Sequence, residues 1–519
     1  MFAIQVQGLT KAFGDCVAND QVTFSVKKGS IHGIVGENGA GKSTAMKLLY
    51  GLYKPDSGSI VMDGKPRQWR TPADAISAGI GMVHQHFMLS ETETVLDNLI
   101  LGVEKTAALG KINRKQIEKD LMALSQKYRM PLNLSARISE IPVGLQQRVE
   151  ILKMLYRGAE FMILDEPTAV LTPQEIEELF RNLLELKKEG KTILIITHKL
   201  REVMAITDRV TVFRAGKVEG DLETKDTSVQ DLADRMVGRR VHLTIGGDHP
   251  EDSKLGHTPR SGGGSLRPAL EIKGLGLLRP GESKPRLDSI HLTVSPKEIV
   301  GIAGVEGNGQ SELIQAIFHP NNPRHRSSGQ ISILGQDIQA FDTQAIKELG
   351  VGWIPEDRHK EGLLLQKSLR ENFLLGQTRR EQFCKNGWIR WNSVDASLKQ
   401  GMEDFDVRPR NIHALAGGLS GGNQQKLIIA RELDRRPNFL VVAQPTRGVD
   451  VGAIEFIHRR LVGLREEGAG ILLISSELDE ILALSDRILV MYSGKIVAEF
   501  ARGEVDAMKL GVKMGGGHG

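Results

Sequence analysis

The sequence has little cysteine, and it has no apolar run of membrane-spanning length. Its two cysteines, Cys16 and Cys384, lie far apart and offer neither a disulfide framework nor the spacing of a metal site, which fits a reducing compartment. The first residues lack the charged and apolar regions of a secretory signal. No apolar stretch approaches the ~20 residues that cross a bilayer. If the protein works at a membrane, another chain is expected to provide the membrane-spanning part.

Strong charge of either sign is also missing. The formal net charge is +4 over 519 residues, and no dense block of Lys and Arg accompanies it. This argues against a nucleic-acid partner and favours an ordinary solvated surface. The length is sufficient for two or three domains with real cores.

The chain contains one domain twice. A phosphate-loop motif, G-x-x-x-x-G-K-[ST], occupies residues 36–43, and it recurs at 304–311 with Gln310 where the lysine belongs. Three further segments of the first half recur in the second half after a similar separation. In the first half they occupy residues 56–60, 143–147 and 208–217. A steady shift of this kind indicates a tandem duplication.

The domain boundaries follow from a polar segment between the repeats. Residues 245–268 are rich in Gly and polar residues, which cannot bury apolar surface, so we predict a flexible linker there. The first domain is then 1–244 and the second is 269–519. The first carries the complete phosphate loop and the second carries the altered one.

Each repeat has an α/β pattern. Short apolar runs predict buried parallel strands at 31–35, 161–164 and 192–196, and helical stretches follow at 42–50 and 172–188. Such alternation predicts a doubly wound sheet with ligands at the carboxyl ends of its strands. The polar segment 90–135 is helical in composition and is predicted to be a subdomain inserted into this core.

The first phosphate loop predicts a nucleotide site. Its glycines allow backbone N–H groups to face the β- and γ-phosphates, and the following helix adds partial positive charge at its N-terminus. Lys42 adds a mobile cation, and the Ser43 hydroxyl is suited to Mg²⁺. The predicted ATP-binding residues here are Gly36, Glu37, Asn38, Gly39, Ala40, Gly41, Lys42, Ser43 and Thr44.

Polar residues at two later strand ends strengthen this prediction. Asp165 and Glu166 follow an apolar strand, where Asp165 is suited to hold Mg²⁺ and Glu166 to polarise the attacking water. His198 closes the next strand, where an imidazole is positioned to contact the γ-phosphate. Strand-end carboxylates often only face solvent, but the upstream phosphate loop favours a catalytic interpretation.

The order of these motifs resembles that of an ABC-type ATPase domain. Phosphate loop, Gln85, a Gln-Gln segment, Asp165–Glu166 and His198 follow one another as in that family, and the pattern recurs over nearly the whole chain. The resemblance implies two P-loop ATPase domains in tandem, each with an inserted helical subdomain. It also implies that the catalytic residues are Lys42, Gln85, Glu166 and His198. The residues expected to bind Mg²⁺ are Ser43, Gln85 and Asp165.

The resemblance further assigns Phe13, near the N-terminus, to stacking on adenine, and a phenylalanine of the core is the alternative to this assignment. In this family each ATP is understood to lie between the phosphate loop of one domain and a Leu-Ser-Gly-Gly-Gln signature of the other. The second repeat has a nearly complete signature at 419–425, from which Ser420, Gly421, Gly422 and Gln424 are predicted to contact nucleotide.

When the phosphate loop of one repeat is paired with the signature of the other, the altered motifs of both repeats fall in the same composite site. The first repeat has Pro142 in place of the signature serine, which removes a hydroxyl and a backbone N–H. The second repeat has Gln310 for Lys, and Glu356, Ala443–Gln444 and Ser476 for the remaining catalytic groups. One composite site is therefore predicted to be complete, and the other is predicted to hydrolyse negligibly.

Segments of the second repeat, 355–358 and 445–450, make the chain resemble ATP-binding subunits of bacterial sugar and nucleoside importers. The Ala443–Gln444–Pro445 segment most resembles the nucleoside branch, linked to a basic membrane lipoprotein, and simple-sugar import is the alternative. The resemblance implies two transmembrane permease subunits, an external substrate-binding lipoprotein, and a peripheral location at the cytoplasmic face of the bacterial membrane. A tandem ABC translation factor on ribosomes is an alternative of another class, but it predicts two complete sites and a long charged helical linker.

Overall fold

The computed structural model describes residues 1–14, 16–84, 87–103, 113–168, 171, 173–240, 267–282, 284–305, 307–449 and 451–514. The chain divides into two compact units, Met1–Val241 and His242–Gly519. The predicted linker, 245–268, lies outside the described residues except for its last two positions. Within the described ranges, no helix has both the length and the apolar character that a membrane crossing requires.

The first unit is built on a six-stranded sheet and a four-stranded antiparallel sheet. Its strands are β1 (Phe2–Phe13), β2 (Cys16–Lys27), β3 (Ile31–Gly36), β4 (Ser57–Met62), β5 (Lys65–Arg67), β6 (Ile80–Val83), β7 (Phe161–Asp165), β8 (Thr192–Ile196), β9 (Arg209–Arg214) and β10 (Lys217–Glu223). The larger sheet has the order β10-β9-β3-β8-β7-β6 and the smaller has β2-β1-β4-β5. The larger sheet is parallel except for β10 at its edge.

Helices cover this sheet and form the inserted subdomain. They are α1 (Lys42–Leu49), α2 (Pro72–Ser77), α3 (Val95–Ile100), α4 (Arg114–Lys127), α5 (Val143–Tyr156), α6 (Pro173–Lys188), α7 (Leu200–Ile206) and α8 (Val229–Val237). The helices α3, α4 and α5 share one apolar cluster with alternate residues of β7 and β8, including Leu164 and Ile195. The opposite face of the same strands packs against α1 and the small sheet, through residues such as Ile163 and Leu194. Because both faces are buried, these strands are apolar throughout.

The second unit repeats the same order of strands. They are β11 (Leu270–Leu278), β12 (Leu287–Val294), β13 (Ile299–Ala303), β14 (Arg326–Ile333), β15 (Gln336–Asp337), β16 (Val351–Ile354), β17 (Cys384–Lys385), β18 (Trp388–Ile389), β19 (Phe439–Ala443), β20 (Gly470–Ser475), β21 (Arg487–Tyr492) and β22 (Lys495–Ala501). The sheets β16-β19-β20-β13-β21-β22 and β12-β11-β14-β15 match those of the first unit, and β17 and β18 form a small additional hairpin.

The helices of the second unit also follow those of the first. They are α9 (Gln310–Phe318), α10 (Thr343–Glu348), α11 (Leu369–Leu374), α12 (Trp391–Asp404), α13 (Gly421–Leu433), α14 (Val451–Glu466), α15 (Leu478–Leu484) and α16 (Ala507–Met514), with a π-helical turn at Arg358–Gly362. The predicted α/β fold, its duplication and its helical subdomains are therefore confirmed.

One buried residue distinguishes the first sheet from the second. His32 on β3 is fully buried, where its Nε2 lies 2.7 Å from the Thr211 hydroxyl, and Val300 takes the corresponding place on β13. Burial lowers the pKa of His32 to about 4, although Asp221 opposes the shift. The folded first unit therefore holds this imidazole in its neutral form.

We expect the first unit to lose stability in mild acid because of His32. The unfolded imidazole takes up a proton near its ordinary pKa of 6.5, whereas the folded one does so only at about 4. The contribution is complete above pH 6.5 and is lost as the pH falls towards 4, by about 2 kcal/mol between pH 7.5 and 5. Urea unfolding of wild type and His32→Val at these two pH values tests this. Equal pH dependence of the two proteins would contradict it.

Candidate functional site

Three strand ends meet at one edge of the first sheet. The strands β3, β8 and β7 are parallel neighbours, with Ile34 opposite Ile196 and Asp165 opposite Ile196. The phosphate loop follows β3, Glu166 follows β7, and His198 stands two residues after β8. Parallel register therefore brings the residues predicted from three distant segments to one place, as expected for ligand sites in open α/β sheets.

The phosphate loop has a backbone that requires glycine at its last turn. Gly41 caps α1 in the left-handed conformation, with φ of 96°, and a Cβ there would lie 2.3 Å from the carbonyl oxygen of Ala18. The side chain of Asn19 fixes this turn by donating to the carbonyl of Gly41. The first N–H groups of α1, from Lys42 to Thr44, have no partner within the helix and are available to an anion.

Lys42 is held inside this loop. Its side chain is 6% exposed, and its Nζ donates to the carbonyl oxygens of Gly36 at 2.7 Å and Glu37 at 2.9 Å. Burial lowers the pKa of Lys42, while Glu166, Asp165 and Glu37 oppose the shift. The ammonium group is therefore available, beside two carboxylates, to exchange loop carbonyls for phosphate oxygens.

Asp165 provides a buried carboxylate next to the loop. It is 7% exposed, and the nearby Ser43 side chain slightly favours its ionised form. Burial raises the pKa of Asp165 to about 6, and the neighbouring charge of Glu166 adds to this. A hydroxyl and a carboxylate close to one another are the kind of oxygen ligands that Mg²⁺ takes from proteins.

Glu166 has a constrained backbone and a defined side-chain partner. Its φ is 48°, its N–H donates to the carbonyl of Ile196 at 2.9 Å, and its Oε1 lies 3.1 Å from His198 Nδ1. Burial opposes ionisation, but the hydrogen bond and charge of His198, with help from Lys42, hold the pKa of Glu166 below its ordinary value. The group is thus an ionised carboxylate aimed by an imidazole, which suits a general base.

The second unit preserves the geometry of this dyad with neutral groups. Gln444 has φ of 47°, its N–H donates to the carbonyl of Ile474 at 2.8 Å, and its Oε1 accepts from both the N–H and the hydroxyl of Ser476 at 3.1 Å. Ala443 stands at the end of β19, where β7 ends in Asp165. The second unit therefore keeps the backbone geometry and the hydrogen bonds of the dyad but lacks its carboxylate and its imidazole.

The second phosphate loop is altered in a similar way. Gln310 is 8% exposed, and its Nε2 donates to the Val305 carbonyl at 3.2 Å. Its Oε1 is buried and has no hydrogen-bond partner among the residues that the structure describes. The Ser311 hydroxyl donates to Glu356, which also lies 3.5 Å from Arg447. The loop thus keeps the fold of the first one, including a left-handed Gly309 with φ of 113° before α9, but lacks its cation.

The two signature segments begin their helices differently. Ser420 caps α13, and its hydroxyl accepts hydrogen bonds from the backbone N–H and the side chain of Asn423. Gly421 and Gly422 form the first turn. In the first unit Pro142 caps α5 with no side-chain hydrogen bond. The hydroxyl donor and the backbone donor of the signature therefore exist only in the second unit among the described residues.

The remaining predicted residues have mixed outcomes. Gln85 lies outside the described residues. Phe13 ends β1 with 45% of its surface exposed and packs edge-to-face on Tyr53 at 5.2 Å between ring centroids, so the alternative of a core phenylalanine is wrong. Gln424 is turned inward, which does not fit a direct nucleotide contact: its amide donates to Ala416 and accepts from Arg358 and His359. The position of Gln424 in the signature motif did not predict that its side chain would bind other residues of the second unit.

Comparisons with known proteins agree with this geometry. A family model described as ABC transporter matches residues 19–169 and 287–447. The chain is similar to the nucleoside import ATP-binding protein NupA of Lactococcus lactis subsp. cremoris, with 45% identity over 99% of this chain and 98% of that protein. It is 44% identical to the guanosine import ATP-binding protein NupO of Bacillus subtilis, over 99% of this chain and 98% of that protein.

A relative named for sugar import is also similar. The glucose import ATP-binding protein TsgD13 of Haloferax volcanii is 41% identical over 99% of this chain and 96% of that protein. Two matched regions, one in each unit, agree with the predicted duplication. The chain therefore belongs to the ABC transporter family, in which it is an ATPase with two ATP-binding domains in tandem.

Proposed function

We propose that this chain energises the import of nucleosides by hydrolysing ATP at one composite site. The observation that carries the single-site part is the pair of matched dyads, Glu166–His198 and Gln444–Ser476. Their backbones coincide in φ and in hydrogen bonding, so the difference between them is chemical. Only the first dyad has an ionised carboxylate with which to activate water.

The complete site in this proposal combines groups of both domains. The first domain contributes the phosphate loop, Glu166 and His198, and the second contributes Ser420 with the first turn of α13. A serine hydroxyl and helix N-terminal N–H groups suit the γ-phosphate. The opposite combination would join Gln310 and Gln444 to the Pro142 signature, and it lacks a cation, a base and a signature donor.

Each residue of the complete site has a role that follows from its chemistry. Lys42 would bind the phosphates as a cation, and Glu166 would take the proton of the attacking water while His198 orients its carboxylate. Phe13 is exposed at the end of β1, where it is free to stack on a base. Ser43 and Asp165, with Gln85, would hold Mg²⁺, which neutralises phosphate charge.

The assignment to nucleosides draws on the relatives. Two of them are named for nucleoside and guanosine import, at 45% and 44% identity. In this proposal the chain acts peripherally, at the cytoplasmic face of the membrane, with two transmembrane permease subunits and an external substrate-binding lipoprotein. The sugar-import alternative remains as an outcome of the test, because the glucose-import relative is 41% identical.

Uptake measurements distinguish these solutes. Cells that lack the gene for this chain are expected to lose uptake of radiolabelled guanosine and to retain uptake of ribose and glucose. Wild-type chain should restore the uptake, whereas Glu166→Gln, produced at the same level, should not. Loss of sugar uptake with unchanged nucleoside uptake would contradict the nucleoside assignment and favour the alternative.

A further inference from the structure

Arg358 is fixed against the signature helix of the second unit. It is the first residue of the π-helical turn Arg358–Gly362, two positions after Glu356. Its Nε donates to the side-chain oxygen of Gln424 at 3.2 Å, and its Nη1 donates to the carbonyl of Arg447 at 2.8 Å. Two of its three nitrogens are therefore committed to holding the guanidinium in place.

The third nitrogen faces the signature itself. A Cβ added at Gly421 would lie only 2.8 Å from Nη2 of Arg358 and 2.8 Å from the carbonyl oxygen of Gly448. No other residue type fits at position 421 without displacing the guanidinium. Nη2 therefore lies beside the first turn of α13, immediately after Ser420, where the helix N–H groups already favour an anion.

The charge of Arg358 is not met within the part of the chain that the structure describes. The half-buried guanidinium has no carboxylate within ion-pair distance among those residues. Burial lowers its pKa, and Asp357 only partly opposes the shift while Arg447 adds to it. A guanidinium remains charged in proteins, and a desolvated cation is normally paired with an anion.

The first unit offers a comparison. Two positions after Gln85, where the second unit has Arg358, the first has Phe87, whose ring is half-buried and packs against the apolar cluster of the helical subdomain. The cation thus accompanies the signature that has Ser420 and is replaced by an apolar residue beside the one that has Pro142. The first unit thus holds the corresponding position by apolar packing, so fixing this loop does not by itself require a cation.

We propose that Nη2 of Arg358 binds the γ-phosphate of the ATP that the Ser420 signature completes, and that it stabilises the charge of the transferring phosphoryl group. This inference rests on the proposed composite site. A guanidinium fixed by two protein acceptors needs little reorganisation to act on such charge. Gln424 then acts as a positioning residue, since its amide holds the guanidinium.

The test compares Arg358→Ala and Arg358→Lys in the full chain. The expected loss of kcat for Arg358→Ala is roughly 10²–10³-fold, the usual effect of removing one donor that acts on transition-state charge. Arg358→Lys keeps the charge and should lose less, which also preserves the test if the alanine variant fails to fold. Arg379→Ala is the control, because Arg379 is exposed and, among the described residues, pairs only with Glu348 at 3.2 Å, so this variant should match wild type.

Nucleotide affinity separates a phosphate contact from a structural role. In the Glu166→Gln background, the Arg358 variants are expected to bind ATP at least about tenfold more weakly and to bind ADP unchanged, because only ATP has the γ-phosphate. Unchanged kcat, or equal losses of ATP and ADP affinity, would overturn the inference. Equal losses of ATPase rate in Lys42→Gln and Gln310→Ala would instead overturn the composite site on which it rests.

Discussion

Replacing Glu166 by Gln is expected to abolish ATP turnover without unfolding the protein. The loss should be about 10²–10⁴-fold in kcat, the usual contribution of a positioned base. The fold is expected to survive because the second unit already contains this variant. Gln444 occupies the corresponding position with the same backbone conformation, and its Oε1 accepts hydrogen bonds from Ser476 at 3.1 Å. Steady-state ATPase rates and thermal unfolding of Glu166→Gln measure the two parts separately.

The matched control is the reverse change in the second unit. Gln444→Glu restores a carboxylate at that position, but Ala443 still offers no metal ligand, Ser476 is no imidazole and Gln310 is no cation. We therefore expect no second active site and an unchanged rate. A rate that rises markedly in Gln444→Glu, or a Glu166→Gln protein with more than about a tenth of the wild-type rate, would contradict the assignment of the base.

The strands of the parallel sheets could be predicted because burial on both faces leaves a signal within each short segment of sequence. The strands β3, β7 and β8 are buried on both faces, so each is a continuous apolar run, and the predicted ranges agree with the observed ones to within a residue. The antiparallel sheet β2-β1-β4-β5 was not predicted. Its long strands β1 and β2 mix buried and exposed residues and contain several register shifts, which break the period-two alternation on which a prediction depends.

The site residues likewise divide into those that the local sequence predicts and those that depend on contacts distant in sequence. Lys42, Asp165, Glu166 and His198 could be predicted because each lies next to a strand end, and parallel register then brings them together. Arg358 could not be, because its contacts with Gln424 and Arg447 join segments 66 and 89 residues apart. A motif identifies a residue by its neighbours in sequence, whereas such contacts depend on how helix and loop pack.

Substitutions in the two phosphate loops should differ in their effect on ATPase activity as much as substitutions in the two dyads. Lys42→Ala and Lys42→Gln are expected to reduce ATPase activity to near background, because the buried ammonium is the cation of the complete loop. Loss of a charge-assisted contact alone costs ~1.5–3 kcal/mol, or about 10- to 150-fold in affinity, before any effect on the transition state. Lys42→Gln is the sharper variant, since the corresponding loop of the second unit accommodates Gln310 with a hydrogen bond to Val305.

Gln310→Ala, by contrast, is expected to retain nearly the full wild-type rate. Within the described part of the chain, the Gln310 side chain makes one hydrogen bond of 3.2 Å and its buried Oε1 has no partner, so its removal sacrifices little binding energy and no charge. Measuring ATPase rates of the three variants side by side tests the single-site interpretation directly. If Gln310→Ala lost as much activity as Lys42→Gln, both loops would have to bind productive nucleotide, and the altered groups of the second unit would need another explanation.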